Sequence, residues 1–332
     1  MFANVFEMAT KFKKYIIRPV RNIFVYCLLR SVFFAGRFLP RGLMLWFNGM
    51  LAYPLYWCLK KSRNITIHNL NIAFGPEKEH GQYYKMGQNM YVLLGKTFCD
   101  YALLANKTTR EQFSKYFRFE GEENLKKAYD KGKGVICLIP HTPGWEFSAI
   151  MPPVLGYKSF GVSSRIKNPA LNKLMIGFRE SRGMANITRD HCYQTLVDRL
   201  KKGECLIIMI DQDSMNIRGE FLHFFGKQAY TPIGCARLAM DTGASIVPMF
   251  TVRNNADDTY LFKMLPEIPF EEKESELETI RYNTQKHNDV MESIIREYPE
   301  QWVWLHERWK TTPEMLQRHL EKKRLAKEQQ SK

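Results

Sequence analysis

The distribution of apolar and polar positions divides the chain into two textures. Residues 23–59 are crowded with Phe, Leu, Trp and Tyr but interrupted by Arg30, Arg37 and Arg41, which leaves one charge-free run, 42–59. That run approaches the roughly 20 apolar residues a bilayer span requires. It contains Asn48, Gly49 and Pro54 and is flanked by Arg37, Arg41, Lys60, Lys61 and Arg63. The pattern therefore predicts helices lying in a membrane interface, with cations at phosphate level and aromatics at headgroup depth, in preference to a clean span. Ordinary buried helices are the alternative.

Across 64–116, apolar positions such as Met90, Leu93, Leu94, Thr97, Phe98 and Tyr101 recur at three- and four-residue steps, which marks a helical packing surface. Gly95-Lys96-Thr97 resembles the end of a phosphate-binding loop, but Met90 stands where that loop needs its first glycine, and the context is helical.

From residue 117 the pattern changes to short continuous apolar strands at 134–139, 159–163, 205–210 and 245–252. Helical periodicity covers 168–182, 191–202 and 231–242, the last with Pro232 in its first turn, then a long amphipathic stretch at 275–298 and a charged tail at 313–332. Strands without alternation, separated by helices, predict an α/β fold whose mixed, largely parallel central sheet is flanked by helices. The expected organisation is a membrane-associated helical segment over 1–62 and an α/β domain with a helical tail over 63–332.

Composition adds a sign and a compartment. The 332 residues carry a formal charge of +15, which asks for an anionic partner: nucleic acid, a membrane surface or an acidic substrate. The basic residues cluster with apolar helices and no nucleic-acid signature is present, which favours lipid over nucleic acid. The seven cysteines form no CxxC pair, as expected of reduced thiols, and no structural zinc spacing exists. The opening residues lack a compact apolar core with a cleavage site, so no removable signal peptide is expected.

One constellation carries chemistry. The strand at 134–139 runs into Pro140-His141-Thr142-Pro143-Gly144-Trp145-Glu146. His141 thus lies just past the carboxyl end of a buried strand, where α/β sheets collect ligands. Glu146 falls in the first turn of the next helix, where the dipole favours a carboxylate. A histidine titrates near neutral pH and can take a proton from an attacking hydroxyl, and a carboxylate on its other ring nitrogen would fix its tautomer. By spacing alone that carboxylate is Glu146. No GxSxG elbow or HExxH helix competes.

The segments NLNIAFGPE, HTPGWE, SSRIKNPALNKLMIGFRESRG, LKKGECLIIMIDQD, FFGKQAYTPIGCARLAMDTGASIVP and PEQWVWLHERWKTTP follow one another in an order that resembles the bacterial lipid A biosynthesis acyltransferases, relatives of the glycerolipid acyltransferases. The resemblance spans nearly the whole chain. It implies that His141 and Glu146 are the catalytic pair of an H-x4-[DE] motif, that Arg165 is a functional residue supported by Asn168, and that no metal or cofactor is needed.

Beside it, a guanidinium past a strand end fits a phosphate, or else a surface ion pair. Asp211, ending the strand at 205–210, would orient Arg165 or an acceptor hydroxyl, or simply make a turn. Thr231 and Gly234 would open a helix whose amino end faces an oxyanion or phosphate, with Thr231 alternatively a plain N-cap. His306 reads as a structural histidine.

The expected activity is transfer of a fatty acyl chain from an acyl-carrier-protein or coenzyme A thioester to a hydroxyl of an anionic glycolipid, most simply a lipid A precursor, at the cytoplasmic face of the inner membrane. Acylation of a phosphatidylinositol mannoside or lysophospholipid, a thioesterase, and a non-catalytic membrane-binding module are the alternatives.

Overall fold

The computed structural model describes residues 38–330 except 76, 190 and 191, together with Ser31 and Phe34. Three helices come first: α1 (Arg41–Cys58), α2 (Lys60–Phe74) and α3 (His80–Leu103), followed by the single turn α4 (Arg110–Phe113). The remainder alternates: β1 (Phe117–Glu120), α5 (Glu122–Tyr129), β2 (Val135–Leu138), α6 (Trp145–Val154), β3 (Ser159–Ser163), α7 (Pro169–Glu180), β4 (Met184–Thr188), α8 (Tyr193–Lys201) and β5 (Cys205–Ile208). A hairpin, β6 (Gly219–Phe224) and β7 (Lys227–Pro232), precedes α9 (Gly234–Thr242), β8 (Ser245–Arg253), β9 (Tyr260–Met264), α10 (Glu276–Glu297) and α11 (Pro313–Gln330).

Seven strands form one sheet in the order β1-β9-β8-β2-β5-β3-β4, parallel throughout except where β8 meets β9. The expected largely parallel α/β sheet is therefore present. Successive side chains of a strand point to opposite faces, and the central strand β2 feeds two cores. Ile136 and Leu138 pack with Leu70, Phe74 and Met90 of α2 and α3 and with Met291 of α10. Val135, Cys137 and Ile139 pack with Leu125 of α5 and Phe147 and Ile150 of α6. With helices on both faces the strand needs no polar side, which explains its unbroken apolar run.

The strands that escaped the apolar-run criterion are those with a wet side. β4 is an edge strand, half-exposed over most of its length, and β9 alternates buried and half-exposed positions. The segment 231–242 departs from expectation. Thr231 and Pro232 close strand β7, and the helix begins only at Gly234. Pro232, read as a first helical residue, sits at the strand end, where its missing N–H removes no helix bond.

Helix α1 packs along α3 through Met44, Leu45, Gly49, Ala52 and Tyr56. The approach is close: a Cβ on Gly95 would lie 3.0 Å from Ala52 Cβ and 3.1 Å from the Asn48 carbonyl, so Gly95 serves helix packing, not a phosphate loop. At its start Arg41 is anchored to the fully buried Asp100 by two hydrogen bonds of 2.8 Å, and Asp100 also receives Arg253 and the Tyr260 hydroxyl. The outer face of α1 is apolar and uncovered, with Leu43, Trp46, Phe47, Met50, Tyr53 and Trp57 each about half exposed or more. Among the described residues, no helix is long and apolar enough to cross a membrane.

Candidate active site

The register of β2 and β5 creates the site. Leu138 pairs with Ile208, and three residues beyond each partner stand His141 and Asp211. Both chains leave the sheet in parallel, so the two side chains emerge together at its carboxyl edge, beside the strand order that brings β8 and β5 to either side of β2. His141 Nδ1 lies 2.6 Å from Asp211 Oδ1, and the His141 backbone N–H donates to Oδ2 at 2.6 Å. The Trp302 indole N–H donates to the same Oδ2 at 2.7 Å.

Asp211 is fully buried. Burial pushes its carboxyl upward, but the neighbouring His141 charge and the hydrogen bonds from His141 and Trp302 outweigh it and bring it down to about 2. An ionised Asp211 accepts the Nδ1 proton, which leaves the lone pair on Nε2. Nε2 takes no hydrogen bond from the described residues, and the His141 side chain remains 17% exposed.

Beside His141 stands His306, with ring centroids 5.5 Å apart and its own Nε2 at 2.7 Å from the Gln212 amide. Burial first, then the His141 charge, pushes His306 down to about 4, so it is neutral at pH 7.

The expected contact between Glu146 and His141 is not made. Glu146 is buried in the first turn of α6, and its carboxylate turns to α7, where Arg179 Nε donates to Oε2 at 2.8 Å and Arg179 Nη2 to Oε1 at 2.6 Å. The Trp145 indole adds a third donor at 3.0 Å. A buried carboxylate needs a charged partner, and the guanidinium meets that need at two points where an imidazole offers one. The carboxylate on the imidazole is Asp211.

The loop between the two residues is fastened all along its length. Tyr101 donates from its hydroxyl to the Pro143 carbonyl at 2.6 Å, and Thr142 Oγ1 to the Thr251 carbonyl at 2.9 Å. Gly144 passes so near β8 that a Cβ there would stand 2.8 Å from Thr251 Cβ. No side chain fits.

The other expected site residues divide. Arg165 is exposed in the loop after β3 and joins no ion pair among the described residues, so Asp211 does not orient it. Asn168 is the N-cap of α7, accepting from the N–H groups of Ala170 and Leu171 at 3.1 and 3.3 Å. Thr231 is not an N-cap: it is fully buried in β7, and its hydroxyl accepts from Arg308 at 2.6 Å and Asn288 at 3.2 Å. Gly234 opens α9, whose N-cap is Ile233 without a side-chain cap.

Arg179, Tyr101 and Trp302 were not anticipated. Arg179 had a faint local signal: it lies eleven residues past Asn168, about three helical turns and so the same face of α7. The other two had none, because their contacts are tertiary.

The site thus joins a buried aspartate to a histidine whose Nε2 is open, at neighbouring strand ends of a largely parallel α/β sheet. Residues 10–311 match the family of bacterial lipid A biosynthesis acyltransferases, and the chain belongs to it. It is similar to a lipid A biosynthesis acyltransferase of Haemophilus influenzae, 23% identical with 81% of this chain and 82% of that protein covered. It resembles the lipid A biosynthesis palmitoleoyltransferase of Escherichia coli, 26% identical over 80% and 83%. The phosphatidylinositol mannoside acyltransferase of Mycolicibacterium smegmatis is 26% identical over 56% of this chain and 60% of its own length. The protein is an acyltransferase.

Proposed function

We propose that this enzyme transfers a fatty acyl chain from an acyl-carrier-protein or coenzyme A thioester to a hydroxyl of an anionic glycolipid of the lipid A precursor type, with His141 as general base. The observation that carries the reading is the His141–Asp211 pair with Nε2 unengaged. Nε2 takes the proton of the acceptor hydroxyl as its oxygen attacks the thioester carbonyl. Asp211 holds the imidazole upright and stabilises the imidazolium. As the tetrahedral intermediate collapses, the C–S bond breaks and the imidazolium returns the proton to the departing thiolate. Glu146 serves the same reaction by tying the His141 loop to α7 through Arg179. No step calls for a metal or cofactor.

The acyl chain has an apolar approach in Phe98, which is exposed, Trp145 and then His141, with successive ring centroids 5.9 and 6.0 Å apart. The uncovered aromatics of α1, followed by Lys60, Lys61 and Arg63, support an interfacial seat on the cytoplasmic face of the inner membrane. The positive charge suits carrier protein, coenzyme A, glycolipid phosphate and leaflet alike.

The test is to supply purified enzyme with labelled acyl carrier protein or acyl coenzyme A and with either a lipid A precursor or a phosphatidylinositol mannoside. Product is expected on the lipid A precursor, and His141→Ala is expected to lose about 10²–10⁴-fold. Transfer by His141→Ala at the wild-type rate would remove the base assignment. Transfer only to the mannoside would change the acceptor, and acyl release without an acceptor would make the enzyme a thioesterase.

A further inference from the structure

Between α10 and α11 the chain forms a strap, 301–311, held to the catalytic loops at several points. The Val303 N–H donates to the His141 carbonyl at 2.9 Å, and Thr311 donates from its N–H and hydroxyl to Asp213 at 2.8 and 2.5 Å. From beneath, the Asn69 amide donates to the carbonyls of Trp304 and His306 at 2.8 and 2.6 Å. From this strap the Trp302 side chain hydrogen-bonds to the catalytic pair, its indole donating to Asp211 Oδ2.

We propose that Trp302 is a positioning residue for acyl transfer, its indole N–H fixing the Asp211 carboxylate so that Oδ1 stays on His141 Nδ1. The inference rests on His141 being the base.

Without a donor on Oδ2 beyond the His141 backbone, the carboxylate is free to rotate about its Cβ–Cγ bond and loosen its hold on the ring. Trp302 is itself fully buried, packed against Trp304 at 4.7 Å and Phe224 at 5.9 Å. Trp304 supplies an internal comparison. It has the same side chain and the same complete burial, but its N–H donates to the Pro299 carbonyl at 2.7 Å, away from the site.

Among the described residues, the titratable and charged groups facing the pair are His306 and Arg308 from the strap, with Asp213 from the loop after β5 acting on Arg308. Neither substitution below alters any of them. Losing the indole donor leaves Asp211 with more charge on its oxygens and therefore raises the proton affinity of His141.

The test compares Trp302→Phe with Trp304→Phe in the full chain. For Trp302→Phe, kcat is expected to fall about 10- to 100-fold, the usual cost of a hydrogen bond to a charged group, with KM for the thioester unchanged. The acid limb of kcat/KM is expected to move up by roughly half a pH unit, and the low-field proton resonance of His141 Nδ1 to broaden or vanish. Trp304→Phe is expected to lower Tm without moving the acid limb or that resonance. An unmoved acid limb in Trp302→Phe, or an equal shift in both variants, overturns the proposal. Full activity in His141→Ala instead removes the base assignment on which it stands.

Discussion

Glu146 and Arg179 meet as a two-point ion pair, guanidinium Nε on one carboxylate oxygen and Nη2 on the other, and this pair joins the first turn of α6 to the last turn of α7. The carboxylate is 4% exposed, so its partner is obligatory. Arg179→Ala is expected to destabilise the protein by about 3–5 kcal/mol, the cost of leaving a buried charge unpaired. Arg179→Lys recovers only part, because an ammonium cannot make the side-on fork. Thermal denaturation of the three proteins checks the order. A double change, Glu146→Leu with Arg179→Leu, is expected to regain most of the lost stability and with it measurable transfer, since His141 and Asp211 are untouched. A stable but inactive double variant would mean that Glu146 enters the chemistry directly.

Asp211→Asn keeps the shape of the site but can present its amide N–H to Nδ1, which favours the wrong imidazole tautomer. The same substitution in the serine-protease triad costs about 10⁴-fold in kcat, and a loss of that order is expected here. Single-turnover acyl transfer with preloaded donor measures it. A variant within a few-fold of wild type would show that His141 holds its tautomer without Asp211.

His287 on α10 is fully buried, and neither ring nitrogen has a hydrogen-bond partner among the described residues. Burial, with a smaller contribution from Lys286, pushes it from 6.5 down to about 3. The folded protein therefore refuses a proton that the unfolded chain accepts. Stability is lost as pH falls below about 6.5, at about 1.4 kcal/mol per pH unit for one proton, until about pH 3. His306, brought down to about 4, adds to the same slope over its upper part. His287→Leu should flatten this dependence, so that its Tm advantage over wild type grows from pH 7 to pH 4. A pH-independent difference would place the proton uptake elsewhere.

The uncovered face of α1 is expected to control attachment to lipid. Replacing both Trp46, 61% exposed, and Phe47, 47% exposed, with Glu should leave the folded core intact and reduce flotation with anionic vesicles by more than tenfold, because burial of each aromatic at an interface is worth about 1–3 kcal/mol. Unchanged flotation would assign attachment to another part of the chain.

Much of this molecule was legible in the sequence. The unbroken apolar strands at 134–139 and 205–210 announced a sheet covered on both faces. The strand end before Pro140 identified His141, and helical periodicity from residue 168 located α7, because each of these signals is local. Its physical cause acts within one or two turns of chain. The partner of His141 was not local. A histidine and a carboxylate five residues apart form the obvious pair on paper, yet Asp211 lies 70 residues away. It arrives beside the imidazole only because β2 and β5 pair in parallel with Leu138 opposite Ile208. Thr231 misled for a related reason. Its neighbours read as a helix start, while the tertiary environment drew it into a strand and gave its hydroxyl to Arg308. Local patterning thus located the four strands with unbroken apolar runs and singled out the candidate base. Strand order and register, set by burial of both faces of the sheet, decided which carboxylate serves it.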